Sequence, residues 1–131
     1  MVKLTDAQRK LIQGKNLAHV ATLMKDGSPQ VTPVWVDCDS DYILINTAEG
    51  RQKPRNIERD PRIALSIHDQ ENIYNYMQVR GRVVEVTRDG AWDHINMLAR
   101  KYRGPDAEYP ARPGEVRIII KIAPEHISGR V

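Results

Sequence analysis

Two β-rich runs joined by a short turn constrain this chain more than any other feature. LAHVATLM (17–24) is followed by KDGS and then by PQVTPVWVD (29–37). Asp26-Gly27 between such runs is a strong hairpin signal, because both residue types tolerate the left-handed backbone a tight turn needs. A hairpin commits the fold to antiparallel pairing. Pro29 and Pro33 then locate the second strand. Proline has no N–H to give to a ladder, so this strand runs along an edge or leaves backbone free to face a ligand. CDSD turns the chain into a third strand, DYILIN (41–46), and the three form a meander.

Further strands are expected at RIALSIHD (62–69), YMQVRGRVVEVTR (76–88) and EVRIIIKIAPEHI (115–127). Gly81 marks a bulge or bend in the long fifth run. The unbroken Ile118 to Ile120 predicts burial on both faces of the sixth. Three short helices complete the chain. In the first, TDAQRKLIQG, Thr5 and Gln8 make a capping box and Gly14 stands where a C-terminal glycine belongs. The second spans about 54–59, since Pro54 suits a first turn and Asp60-Pro61 ends it. DGAWDHINMLARKY (89–102) is the third, with Trp92, Ile95, Leu98, Ala99 and Tyr102 on one face. The fold class is thus mainly β: six antiparallel strands with three short helices, curled into a small barrel that hides its edges. At 131 residues, a single domain over 1–131 is expected.

Composition narrows the partners. The net charge of +3 leaves the chain mildly basic, which permits a phosphate-bearing ligand without demanding nucleic acid. Seven aromatic residues, two Trp and five Tyr, make a poor base-stacking platform, so nucleic acid is not expected. Cys38 is the sole cysteine, so no internal disulfide forms and a reducing compartment fits. MVKLTDAQRK lacks the apolar run of a signal peptide, and the longest aliphatic run, Ile118 to Ile120, is far too short for a membrane span. A soluble, cytoplasmic protein is expected.

The chemistry concentrates in NTAEGRQKPRNIERDP (46–61). A strand, then a loop with Gly50, then a helix start is a physical recipe for an anion site. The first helical turn has free N–H groups and the positive end of the helix dipole. Gly50 allows close backbone approach. Arg51 offers a bidentate fork, Lys53 a point charge, and Asn56, three residues on, an amide donor. The same cations would also suit a solvated helix, with Glu58 and Asp60 pairing with Arg55 and Arg59. The residues alone leave these two readings even. No Walker A loop and no G-x-G-x-x-G occurs. His19, His68, His94 and His126 are scattered and have no metal spacing. Asp37, Asp39 and Asp41 read as a polar turn rather than a calcium loop. No autonomous acid, base or nucleophile stands out, so any chemistry would come from a cofactor.

ILINTAEGRQKPRNIERDPRIALSI resembles the core signature of the pyridoxamine 5′-phosphate oxidase-like split β-barrel superfamily. Its Gly-Arg-x-Lys-x-x-Asn followed by Arg-Asp-Pro-Arg is similar to the flavin/deazaflavin oxidoreductase B group, which uses coenzyme F420. HVATLMKDGSPQVTPVWV and YMQVRGRVVEV resemble that group's first hairpin and later strand. The resemblance implies a split barrel and a homodimer with cofactor sites at the interface, residues 69–76 of the second copy helping to close each. It implies that Arg51, Lys53 and Asn56 hold the cofactor phosphate. Gln30, Thr32, Pro33 and Val34 would lie along the ring, with Asn46 and Thr47 near the ribityl chain. The implied activity is hydride transfer from reduced F420 to an electron-poor double bond or quinone-like small molecule. FMN in the same fold, or a non-catalytic flavin-, haem- or deazaflavin-binding protein, are the alternatives. Tyr74, Tyr76 and Tyr109 are the candidate proton donors. The short C-terminal APEHISGRV has no room for the substrate-binding extension of the vitamin B6 oxidases.

Overall fold

The computed structural model describes residues 1–131. Seven antiparallel strands form one curled sheet in the order β2-β1-β5-β6-β7-β4-β3. In chain order the elements are α1 (Asp6–Gln13), β1 (Ala18–Leu23), β2 (Pro29–Val34), β3 (Asp37–Asp39), β4 (Tyr42–Ala48), α2 (Gln52–Arg59), β5 (Arg62–His68), β6 (Tyr76–Thr87), α3 (Ala91–Arg103) and β7 (Arg117–Gly129). The mainly β, antiparallel class follows from the sequence pattern. The strand number does not: seven are present where six were expected. The added strand, β3, lies in the stretch read as a turn. Ser40, at φ 56°, folds Asp37–Asp39 straight back onto Tyr42–Leu44.

The hairpin between β1 and β2 forms at Asp26-Gly27, with Gly27 at φ 86° and the Asp26 carboxylate accepting from the Ser28 N–H at 3.0 Å. β2 is an edge strand, bonded on one side to β1, as its two prolines require. Thr5 caps α1 through the expected reciprocal bonds with Gln8. α2 begins at Gln52, two residues before Pro54, which still lies in the first turn, where its missing N–H has no partner to lose.

β6 and β7 are the long strands that join the two halves of the sheet. Their register shifts at Arg80/Gly81 and again at Val83/Glu85. Gly81 is required there by space: a β-carbon would meet the Ala123 carbonyl oxygen at 2.3 Å. Inside the curl lie Val20, Ile43, Ile45, Ile67, Met77, Val79, Ile120 and Ile122, all essentially inaccessible. Each contributes about 1.5–3 kcal/mol of burial. Leu11 and Ile12 of α1 close one end of this core.

α3 is fastened by polar bonds as well as by Ile95, Leu98 and Ala99. Lys101 donates to the carbonyls of Ile12 and Val36, both at 2.7 Å. The Tyr102 hydroxyl donates to Asn16 O at 2.7 Å and accepts from Val36 N–H at 3.1 Å. Burial lowers Lys101 to about 8 and raises Tyr102 to about 12. These bonds tie the β2–β3 connection, α1 and α3 together. No helix is long and apolar enough to cross a membrane, and no cluster of three His, Cys, Asp or Glu is placed to hold a metal.

Candidate functional site

The free edge of β2 and the end of β4 approach each other across the start of α2. Between them lies a cleft of about 300 Å³, lined by Gln30, Thr32, Pro33, Val34, Asn46, Thr47, Arg51, Gln52 and Lys53. Eight of the ten residues singled out from the sequence line it. The two exceptions are Gly50 and Asn56. Gly50, at φ 90°, turns the chain into α2 and faces a different hollow, beside Pro54 and Val86. Asn56 is fully buried. Its amide donates to Thr22 Oγ1 at 3.0 Å and its carbonyl oxygen accepts from Gln52 and Arg59 at 2.8 and 3.1 Å. It anchors α2 to β1 from below.

The cleft is cationic at its α2 end. Lys53 is half-buried and hydrogen-bonds the Thr32 hydroxyl. Burial, and then the like charge of Arg51, lower its ammonium below the ordinary value. Arg51 is the N-cap of α2 but makes no side-chain cap bond, and no acid occupies the first turn. The helix start therefore presents Gln52 and Lys53 N–H groups with the dipole uncompensated. An anion placed here would meet two side-chain cations and free backbone donors.

A second hollow of about 350 Å³ continues the cleft. It shares Pro33, Val34, Asn46 and Arg51 and extends to Leu17, Trp35, Ile95, Arg103, Tyr109 and Arg117. Larger hollows lie elsewhere, but each carries both signs of charge. One of about 420 Å³ holds Arg62 and Arg80 beside Glu125, and Arg62 is already paired with Asp60 at 2.7 Å. One of about 630 Å³ mixes Lys10 and Lys15 with Asp69 and Glu71. The β2–α2 cleft is lined by Arg51, Lys53, Arg103 and Arg117 and by no carboxylate, so electrostatics singles it out rather than volume.

Behind its wall runs a buried polar network that the sequence did not announce. Arg117 is 4% exposed. Its Nε donates to Asn46 Oδ1 at 2.9 Å, and a terminal nitrogen lies 3.3 Å from Tyr109 Oη and 3.6 Å from Glu115 Oε2. Tyr109 Oη donates to that same Glu115 oxygen at 3.1 Å, and Arg51 reaches it at 3.4 Å. Asn46 Nδ2 donates to Ala91 O at 2.9 Å and to His94 Nδ1 at 3.1 Å. With Oδ1 fixed by Arg117, this pattern makes His94 Nδ1 an acceptor and puts the ring proton on Nε2. That nitrogen faces Asp37 Oδ2 at 3.5 Å. Burial works to raise the Asp37 carboxyl, but His94, the Cys38 N–H and Lys101 outweigh it and leave it below its ordinary value. Asn46 is thus held rigidly where β4 meets the cleft. The one sequence signal for this network was Arg117 standing directly before the apolar run Ile118 to Ile120.

A model of the pyridoxamine 5′-phosphate oxidase family matches residues 4–130. The F420H(2)-dependent biliverdin reductase of Mycobacterium tuberculosis (strain CDC 1551 / Oshkosh) is 27% identical over 130 residues, covering 97% of this chain and 88% of the relative. A solved structure described as an F420 reductase is 33% identical, with a TM-score of 0.84, and covers 95% of this chain and 98% of its own. A FAD-binding protein from Mesorhizobium loti shares the fold, with a TM-score of 0.65 at 20% identity, covering 98% of this chain and 95% of that one.

Proposed function

The chain belongs to the pyridoxamine 5′-phosphate oxidase family, and from that premise we propose that it is a reductase using reduced coenzyme F420. The acceptor is a small molecule with an electron-poor double bond or a quinone-like ring. The observation that carries this reading is the cleft at the start of α2, whose lining holds Lys53 and Arg51 and no carboxylate; Lys53 has no ion-pair partner, and Arg51 touches only Glu115 behind the wall, at 3.4 Å. The two relatives that support the choice of cofactor carry F420 in their names.

The residues present fit a phosphate-bearing cofactor. Lys53, Arg51 and the N–H groups of Gln52 and Lys53 would hold the phosphate. Thr32 and Gln30 on β2, with Asn46 and Thr47 on β4, would hydrogen-bond the chain and ring that follow. Pro33 and Val34 give an apolar, dry wall. When bound, the reduced deazaflavin supplies a hydride, and the acceptor takes that hydride and one proton. Of the candidate tyrosines, Tyr109 lines the cleft, and its hydroxyl can hold that proton between Glu115 and Arg117. Tyr74 and Tyr76 lie on the β5–β6 loop and the start of β6, and both are exposed. We assign them, with exposed Ile73, to the face that a second copy covers, residues 69–76 of each copy closing the other's cleft.

Equilibrium titration with F420 and with FMN tests the cofactor, since both place a phosphate at Lys53. Tighter binding of F420, followed by return of the oxidised cofactor's visible absorption when an acceptor is added to the reduced form, is the expected result. Retained FMN, or preference for it, overturns the cofactor. Binding without turnover of any acceptor leaves a carrier rather than a reductase. A single-copy mass in sedimentation removes the shared site.

A further inference from the structure

Arg103 ends α3 at the far side of the cleft from Lys53. Its guanidinium lies 4.9 Å over the ring of Trp35. Trp35 stacks in turn on Tyr102, with centroids 5.4 Å apart and planes within 6°. Tyr102 is pinned by its bonds to Asn16 and Val36. Arg103 is therefore a cation held on a fixed aromatic surface, not a loose chain.

The other cations of the cleft differ from it. Arg117 and Arg51 share Glu115, and Arg117 also holds Asn46. Lys53 stands at the opposite end, against Thr32. An extended chain covers about 10 Å in the three residues from Thr32 to Trp35, and Lys53 lines only the first hollow and Arg103 only the second, so the two cations serve separate ends. Arg103 forms no ion pair within the chain. The carbonyl end of α3 favours a cation in the last turn, but Arg100 and Lys101 already stand there. The hollow that Arg103 lines offers flat or apolar walls in Trp35, Tyr109, Ile95 and Leu17, alongside Arg51 and Arg117.

We propose that the acceptor is a planar, conjugated molecule bearing a carboxylate, and that Arg103, held on Trp35, receives that carboxylate as a bidentate fork. Arg103 is then the residue that sets acceptor selectivity, while the reaction itself follows the reductase reading above, on which this inference rests. The skeleton lies between Trp35 and Tyr109, and the charged arm reaches the α3 end.

The test compares biliverdin with its dimethyl ester, which share one conjugated skeleton and differ in carboxylates. Calorimetric titration is run on the full chain, with and without F420, so binding is read independently of turnover. The expected result is that the diacid binds at least about tenfold more tightly than the ester. Arg103→Gln should abolish that preference with F420 affinity unchanged, and Arg103→Lys should restore part of it. A variant that keeps the preference overturns the proposal. So does a variant that weakens F420 instead, since Arg103 would then serve the cofactor, and so does failure of the wild type to bind the diacid. A preference that persists where F420 does not bind supports the carboxylate site while removing the reductase.

Discussion

Replacing Lys53 with Met separates a residue kept for binding from one kept for folding. Lys53 is half-buried, has a cation as its charged neighbour, and makes one side-chain bond, to Thr32. Burial opposes its charge, so removing it relieves an unfavourable term in the free protein, and the methionine stem retains the packing. The thermal midpoint should hold or rise. In the proposed cofactor complex the same substitution would remove a charge-assisted bond to the phosphate, about 1.5–3 kcal/mol, or roughly 10- to 150-fold in Kd. Fluorescence titration with F420 and a thermal melt on the same samples read the two effects. For the wild type, affinity should also fall as pH rises through the lowered Lys53 value, because the ammonium is the form that binds. K53M should lose that slope. A variant that is less stable and binds F420 unchanged would falsify the assignment.

Arg117→Met should cost about 1–3 kcal/mol, because it leaves the buried Asn46 carbonyl without its donor and removes one of the two cations on Glu115, which Arg51 and Tyr109 still hold; a denaturation midpoint within error of wild type would show that the network is dispensable. Gly81→Ala should cost about 1–3 kcal/mol, as a β-carbon there drives into the Ala123 carbonyl, and unchanged stability would mean that β6 and β7 part easily. Lys101, at about 8 in the fold against 10.5 unfolded, binds fewer protons when folded between those values, so stability should rise with pH just above 8. Cys38, raised by burial from 9.0, opposes this at higher pH, which confines the window to pH 8–9. Lys101→Met should flatten the rise in urea midpoint, and a wild-type midpoint that falls across the window contradicts the burial argument.

What could be read in advance was whatever depends on neighbours in sequence. The capping box of α1, the Asp26-Gly27 turn, the edge position of β2 and the bend at Gly81 each follow from a few adjacent residues. The cleft was legible for the same reason, since Gly50 to Lys53 follow β4 directly and β2 is marked by its prolines. Asn56 shows where spacing misleads: three residues beyond Lys53, it turns down onto Thr22 rather than up into the cleft. β3 was hidden because Asp-Cys-Asp has no strand character of its own, and its pairing depends on Ser40 adopting a left-handed backbone. The network of Arg117, Asn46 and His94 joins residues 71 and 48 positions apart, and no local pattern records such a meeting.

The prolines of β2 also decide how this protein behaves in a crowd. Pro29 and Pro33 are four residues apart, so their nitrogens point the same way, and on an edge strand that way is outward. Val31 is then the one N–H donor between them on the open side, although its side chain is exposed and apolar. A strand that offers carbonyls but almost no donors cannot template a ladder with another chain. The open edge that borders the cleft is thereby closed to strand-by-strand aggregation. Pro29→Val and Pro33→Val would return the missing donors and turn this rim into a nucleus for self-association.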